Sequence, residues 1–269
     1  MPSQLTTDLA VRRHGRPPNE APTLVFLHGL TDSGEGWPGA VAHWQDRYPI
    51  VTVDQRGHGQ SPRFTADQLE GSPGDVLVDD AEALLEQLGA APVLIGHSLG
   101  GGVALALAVR RPDLVRALIL EDPAALGAEE DRRSADRGHQ LVDSVAGSVA
   151  ATDDDALLEV RRKQHPTWPE DELLPTGRAE QQVDREFLAA GDYKPSTRWA
   201  ELLNKLAVPT LVLTGDQEGV VVDEQVAELI EQADNPNVIV TRIPGAGHCV
   251  RRDQPDRFFT AADAFLTRH

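Results

Sequence analysis

The sequence predicts an α/β protein, a mostly parallel central sheet flanked by helices, with a mostly helical cap inserted into it. Two observations carry this. Short apolar runs recur at residues 23–27, 48–54, 93–97, 117–120, 209–215 and 238–243, and most of them are separated by stretches with helical spacing. Strands of that kind are buried on both faces, and their alternation with helices implies right-handed crossovers between parallel neighbours. Between residues 124 and 205 the pattern changes: no convincing strand occurs, acidic runs stand at 129–131 and 153–155, and helical pieces such as 155–163 take over. The expected division is a core of residues 1–123 and 206–269 and a cap of residues 124–205.

Residues 5–12 alternate in polarity ahead of a turn-forming cluster at 16–20, which reads as an edge strand or hairpin. Residues 23–27, Thr-Leu-Val-Phe-Leu, are strand formers and end at His28 and Gly29. A polar loop follows, then helical spacing over 37–47, then the strand at 48–54, closed by a loop whose path Gly57, Gly59 and Pro62 restrict. Residues 63–74 read as loop. Over 75–88, Val76, Val78, Ala81, Leu84, Leu85 and Leu88 recur on an amphipathic helix stopped by Gly89. The strand at 93–97 breaks at Ser98 into an apolar helix ending at Arg110, Arg111 and Pro112, and the strand at 117–120 ends in Glu121, Asp122 and Pro123. Beyond the cap come the strand at 209–215, a helix over 223–233, the strand at 238–243 and a closing helix over 256–268.

The formal charge is -18, from 43 Asp and Glu against 25 Lys and Arg. Such a field repels phosphate backbones and anionic membrane surfaces, so nucleic acid and lipid headgroups are not expected partners. No apolar run approaches the roughly 18 residues of a spanning helix, and the first residues lack a signal-peptide pattern, so a cytoplasmic location is the expectation. Cys249 is the only cysteine, and the nine histidines show no metal-binding spacing, so neither a disulfide nor a metal is expected. No Gly-x-Gly-x-x-Gly follows a strand, which removes the dinucleotide signature. No cofactor is expected.

The sharpest local signal is Ser98 between Gly96 and Gly100 on the turn from strand to helix. The Gly-x-Ser-x-Gly pattern lifts a serine oxygen clear of the backbone beside the first amides of a helix. A serine needs a base to take its proton, and the base needs an acid to hold its tautomer. His248, on a glycine-bracketed loop after the last strand, is the best base; His97 is expected to face elsewhere. For the acid, Glu218 stands slightly ahead of Asp122, with Asp216 a third carboxylate. Negative charge developing on an attacked carbonyl must be met by positioned donors, worth about 2.7–4 kcal/mol apiece. The backbone amides of Leu30 and Leu99 are placed to supply them. Trp168 and Tyr193 are candidate pocket-lining residues, with Trp199 a further cap aromatic; Trp37 is expected beneath the Leu30 loop.

Five motifs then occur in order: His28-Gly29 with Ser33 and Trp37; Asp54, Arg56, Gly57, Gly59 and Ser61; Gly96, Ser98, Gly100 and Gly101; Gly215, Asp216 and Glu218; and Gly245, Gly247 and His248. Together they resemble the α/β-hydrolase family across nearly the whole chain outside the insertion. The resemblance implies a triad of Ser98, an acid and His248, an oxyanion hole at Leu30 and Leu99, and a helical cap over the site. The family usually has aspartate where Glu218 stands, which keeps Asp122 open. A serine at 98 argues against the branches that use an aspartate nucleophile. The expected activity is hydrolysis of a carboxylic ester or lactone, the partner a small acyl compound. Carbon–carbon bond hydrolysis or perhydrolysis on the same residues, and a slow or non-catalytic ligand receptor on the same scaffold, are the alternatives.

Overall fold

The structure, a computed structural model, describes residues 8–17, 20–124, 135–196, 199–217, 219–232 and 234–269. Its centre is a seven-stranded sheet: β1 (Val11–Gly15), β2 (Leu24–Leu27), β3 (Pro49–Val53), β4 (Val93–His97), β5 (Ala117–Glu121), β6 (Thr210–Thr214) and β7 (Val238–Arg242). The spatial order is β1-β3-β2-β4-β5-β6-β7. Only β1 runs antiparallel, pairing Val11 with Val53 at the edge; all other pairs are parallel.

The five inner strands β2 to β6 are buried along their whole length because they are predominantly apolar, so successive residues serve opposite cores. Val25, Leu27, Val51, Leu94, Leu118 and Val212 face one side. There they meet α3 (Pro73–Glu86) and α4 (Leu99–Arg110). Leu24, Phe26, Ile50, Ile95, Ile119 and Leu211 face the other. On that side lie α1 (Pro38–Trp44) and the closing helix, whose Trp44, Phe258 and Phe265 are among the largest fully buried side chains. Burial of each such side chain is worth about 1.5–3 kcal/mol.

Residues 63–74, expected as loop, contain α2 (Ala66–Glu70). Five residues are too few to show a 3.6-residue period; a capping box makes the turn, with Gln68 N donating to Thr65 Oγ1 and Thr65 N donating to Gln68 Oε1. Between β5 and β6 the described chain is helical: α5 (Ala135–Ser144), α6 (Ala146–Ala150), α7 (Asp154–Gln164), α8 (Glu170–Gln182), α9 (Arg185–Ala190) and α10 (Trp199–Lys205). The acidic run at 153–155 is the cap and first turn of α7, where Asp153 accepts from Ala156 N and carboxylates suit the helix dipole. After β6 come α11 (Glu224–Gln232), the short α12 (Val250–Asp253) and α13 (Pro255–Leu266). Among the described residues no helix is long and apolar enough to cross a membrane.

Candidate active site

Strand order reverses between β2 and β4: chain order runs from β2 to β3 on one side and from β4 to β5, β6 and β7 on the other. The crevice beyond the carboxyl ends of such a pair is where parallel sheets bind ligands. Ser98 sits there, at φ 49° and ψ -114° between β4 and α4. A non-glycine residue held in that region costs on the order of 1–3 kcal/mol, and packing must enforce it. Enforcement is visible: Ser98 N donates to Glu121 O at 3.0 Å, and Ser98 O accepts from Ala124 N at 2.9 Å. The two flanking glycines are steric requirements. A Cβ at Gly96 would stand 2.5 Å from Gly100 O, and one at Gly100 would overlap Leu27 O.

The loop after β2 faces the elbow. His28 Nδ1 donates to Gly29 O at 2.8 Å and its Nε2 accepts from Gln55 N at 3.0 Å, so this buried ring is neutral, and burial holds it below its ordinary range. His58 lies behind the loop with its two nitrogens 2.6 Å from Leu30 O and 2.9 Å from Arg56 O. Two N–H groups would satisfy that arrangement; burial, reinforced by His28, opposes it by pushing the ring down to about 3. Asp54 orders the next loop, accepting from Arg12, Gly34 N and Gln60 N. Among the described residues the amides of Leu30 and Leu99 donate to no backbone or side-chain acceptor. Leu99 is the first residue of α4, where helical amides lack internal partners. Leu30, Ser98 and His248 line one cavity of about 800 Å³.

His248 Nδ1 is 2.5 Å from Asp122 Oδ2. Asp122, fully buried at φ 38° just past β5, also accepts from Val221 N and Val222 N at 2.8 Å and lies 2.9 Å from the Thr214 hydroxyl. Four groups thus converge on one carboxylate. Glu218, the carboxylate placed first from sequence, lies outside the described residues; the position it was expected to fill beside His248 Nδ1 is occupied by Asp122. Asp216 is turned away, accepting from Gly245 N and Gln217 Nε2. His97 Nε2 donates to His248 O at 3.1 Å, and burial pushes its pKa well below normal. Cys249 Sγ is 3.9 Å from His97 Nε2, its thiol pushed up to about 12 by burial.

Trp168 and Tyr193 both line the cavity. Trp168 stacks on His165 and donates Nε1 to Asp253 Oδ1 at 2.9 Å. The side chain of Trp199 lies outside the described residues. Trp37 packs on Phe26, with the Arg251 guanidinium 3.9 Å from its ring centroid.

A buried ion network around these loops was not legible in the sequence. Arg251 Nη1 pairs with Glu121 Oε2 at 2.6 Å, and Arg251 N donates to Glu121 Oε1 at 2.8 Å, tying the residue before Asp122 to the third residue after His248. Arg252 Nη2 pairs with Asp32 Oδ2 at 2.6 Å and Arg252 Nε with Glu172 Oε2 at 2.8 Å. The available signal was Glu121 at the end of an all-apolar run, where an unpaired charge would be buried at large cost.

The site is that of a hydrolase scaffold, and the chain belongs to the α/β hydrolase fold family, whose model matches residues 22–251. It is 29% identical over 256 residues to the sn-1-specific diacylglycerol lipase ABHD11 of Mus musculus, covering 91% of this chain and 81% of that protein. It is 26% identical over 265 residues to the 2-(acetamidomethylene)succinate hydrolase of Mesorhizobium japonicum, covering 93% and 90%. The crystal structure of E-2-(acetamidomethylene)succinate hydrolase has the same fold, with a TM-score of 0.79 over 96% of this chain and 95% of that one at 22% identity.

Proposed function

We propose that this chain is a serine hydrolase that cleaves a carboxylic ester or lactone through an acyl-enzyme on Ser98. The observation that carries the reading is the 2.5 Å contact between His248 Nδ1 and Asp122 Oδ2 in the cavity that Ser98 shares. Asp122 keeps the proton on Nδ1, so Nε2 presents a lone pair to the Ser98 hydroxyl and takes its proton as Oγ attacks the carbonyl. The oxyanion is met by the Leu30 and Leu99 amides, which among the described residues have no acceptor to give up. The imidazolium then protonates the leaving alcohol, and water, activated by His248, releases the acid. In the free protein the Ser98 hydroxyl makes no hydrogen bond among the described residues; contacts of this kind commonly tighten when substrate binds. The lipase relative supports an ester as substrate. A second reading, cleavage of a different bond by the same residues, draws on the succinate hydrolase relative.

The test is pre-steady-state kinetics with p-nitrophenyl esters of increasing acyl length on the parent and on Ser98→Ala. A burst of nitrophenol stoichiometric with protein, absent in Ser98→Ala, is expected. Turnover that survives in Ser98→Ala refutes the mechanism.

A further inference from the structure

Arg252 is buried four residues beyond His248, and its guanidinium joins three parts of the molecule. One edge meets the loop that carries Leu30: Nη2 donates to Asp32 Oδ2 at 2.6 Å and to Gly36 O at 2.8 Å. The other meets the helical segment: Nε donates to Glu172 Oε2 of α8 at 2.8 Å. The face lies 4.8 Å from the Trp168 ring centroid. Asp32 is the pivot of its loop. Its N donates to Gly29 O, its Oδ1 accepts from Ser33 N at 2.9 Å, and a Cβ at Gly36 would overlap its carboxylate, so the chain from 29 to 36 is wound around that group. Glu172 in turn accepts from Gly39 N at the start of α1 with its other oxygen.

We propose that Arg252 is a positioning residue that makes the seating of α8 on the core a condition for a correctly placed Leu30 amide. A tether for α8 alone would need only Glu172, and a tether for the loop alone only Asp32. One rigid planar fork does both, so a displacement at one end is carried to the other. Arg251 beside it reaches the same loop, with Nη2 3.3 Å from Asp32 Oδ2 and 3.0 Å from Gly36 O, but its Nη1 goes to Glu121 and its face to Trp37, so of the two arginines Arg252 is the one that bonds Glu172 of α8. The kinetic consequence rests on the serine-hydrolase reading above; the structural consequence does not.

The test is Arg252→Lys, which keeps the charge and loses the fork, since one ammonium cannot meet Asp32, Gly36 O and Glu172 together. Hydrogen exchange across residues 28–36 is expected to speed up about tenfold while residues 99–110 keep the parent rate. For p-nitrophenyl acetate, kcat is expected to fall between about tenfold and about a hundredfold, the range for a misplaced oxyanion donor, with KM within about threefold. The acid limb of the kcat profile should stay in place, because His248 and Asp122 are untouched. Glu172→Gln, which keeps volume and an acceptor, should show the same signature more weakly, and it carries the test if the lysine variant does not fold. Parent exchange rates over 28–36 in the folded variants overturn the proposal. So does a rise in KM alone, or an acid limb that moves together with kcat. Parent turnover that persists in Ser98→Ala would refute the hydrolase reading and leave exchange to decide the role of Arg252.

Discussion

Replacing Asp122 by asparagine tests the acid assignment through a hydrogen-bond inventory. The carboxylate faces four groups: Val222 N and the Thr214 hydroxyl at Oδ1, and Val221 N and His248 Nδ1 at Oδ2. An amide offers one oxygen and one NH2. With the NH2 at the Oδ2 position, Val221 N–H loses its acceptor, and His248 Nδ1 must accept, which moves the ring proton to Nε2 and removes the base. With the NH2 at the Oδ1 position, Thr214 can turn its proton to Val222 O, 2.9 Å away, but Val222 N–H is stranded and the charge opposite the imidazolium is gone. Either way one buried N–H is unpaired, a cost of about 1–3 kcal/mol in stability. Catalysis should fall by about four orders of magnitude, as in the serine-protease template, or about 5.4 kcal/mol in the barrier. Steady-state hydrolysis of a p-nitrophenyl ester, with Ser98→Ala as the floor and circular dichroism as the folding control, measures it. Glu218→Gln should stay within about twofold of the parent, since Nδ1 is already held. A folded Asp122→Asn variant within about tenfold of parent activity, or a matching loss in Glu218→Gln, would refute the assignment.

Gly100→Ala should lower the melting temperature by about 4–8 °C, because a Cβ there overlaps Leu27 O and overpacking costs on the order of 2 kcal/mol; an unchanged melting temperature would mean the elbow is not close-packed. His28 and His97 are buried and held neutral, with folded pKa values below the 6.5 of the unfolded chain. Below about pH 6.5 the unfolded state therefore binds more protons, so stability is complete above that pH and declines as pH falls. Each group contributes a slope of up to about 1.4 kcal/mol per pH unit. Melting temperatures at pH 7.5, 6.5 and 5.5 should fall in that order; a flat or rising series contradicts neutral burial.

The sequence by itself determined what depends on near neighbours. Alternating short apolar runs and helical periods are local patterns, and they located the six parallel strands, the sheet-flanking helices and the helices described between β5 and β6. The elbow was legible for the same reason, since Gly96, Ser98 and Gly100 act on one another within five residues. The place of His248 in the cavity it shares with Ser98 was legible because a glycine-bracketed histidine after the last strand has few structural duties.

Which carboxylate faces His248 was not legible. Asp122 and Glu218 both follow strand ends, and nothing within a few residues of either distinguishes them. Tertiary structure decided it, because β5 and β6 lie side by side and deliver Val221 N, Val222 N and Thr214 to Asp122 from about a hundred positions away. The ion network was hidden for the same reason. Nothing in the sequence around Asp32, Glu172, Arg251 or Arg252 marks them for burial, and that burial is tolerable only because partners 80 to 220 residues distant arrive with matching charge and geometry. Local sequence specifies where a strand or turn forms; compensation of a buried charge is a property of the assembled fold.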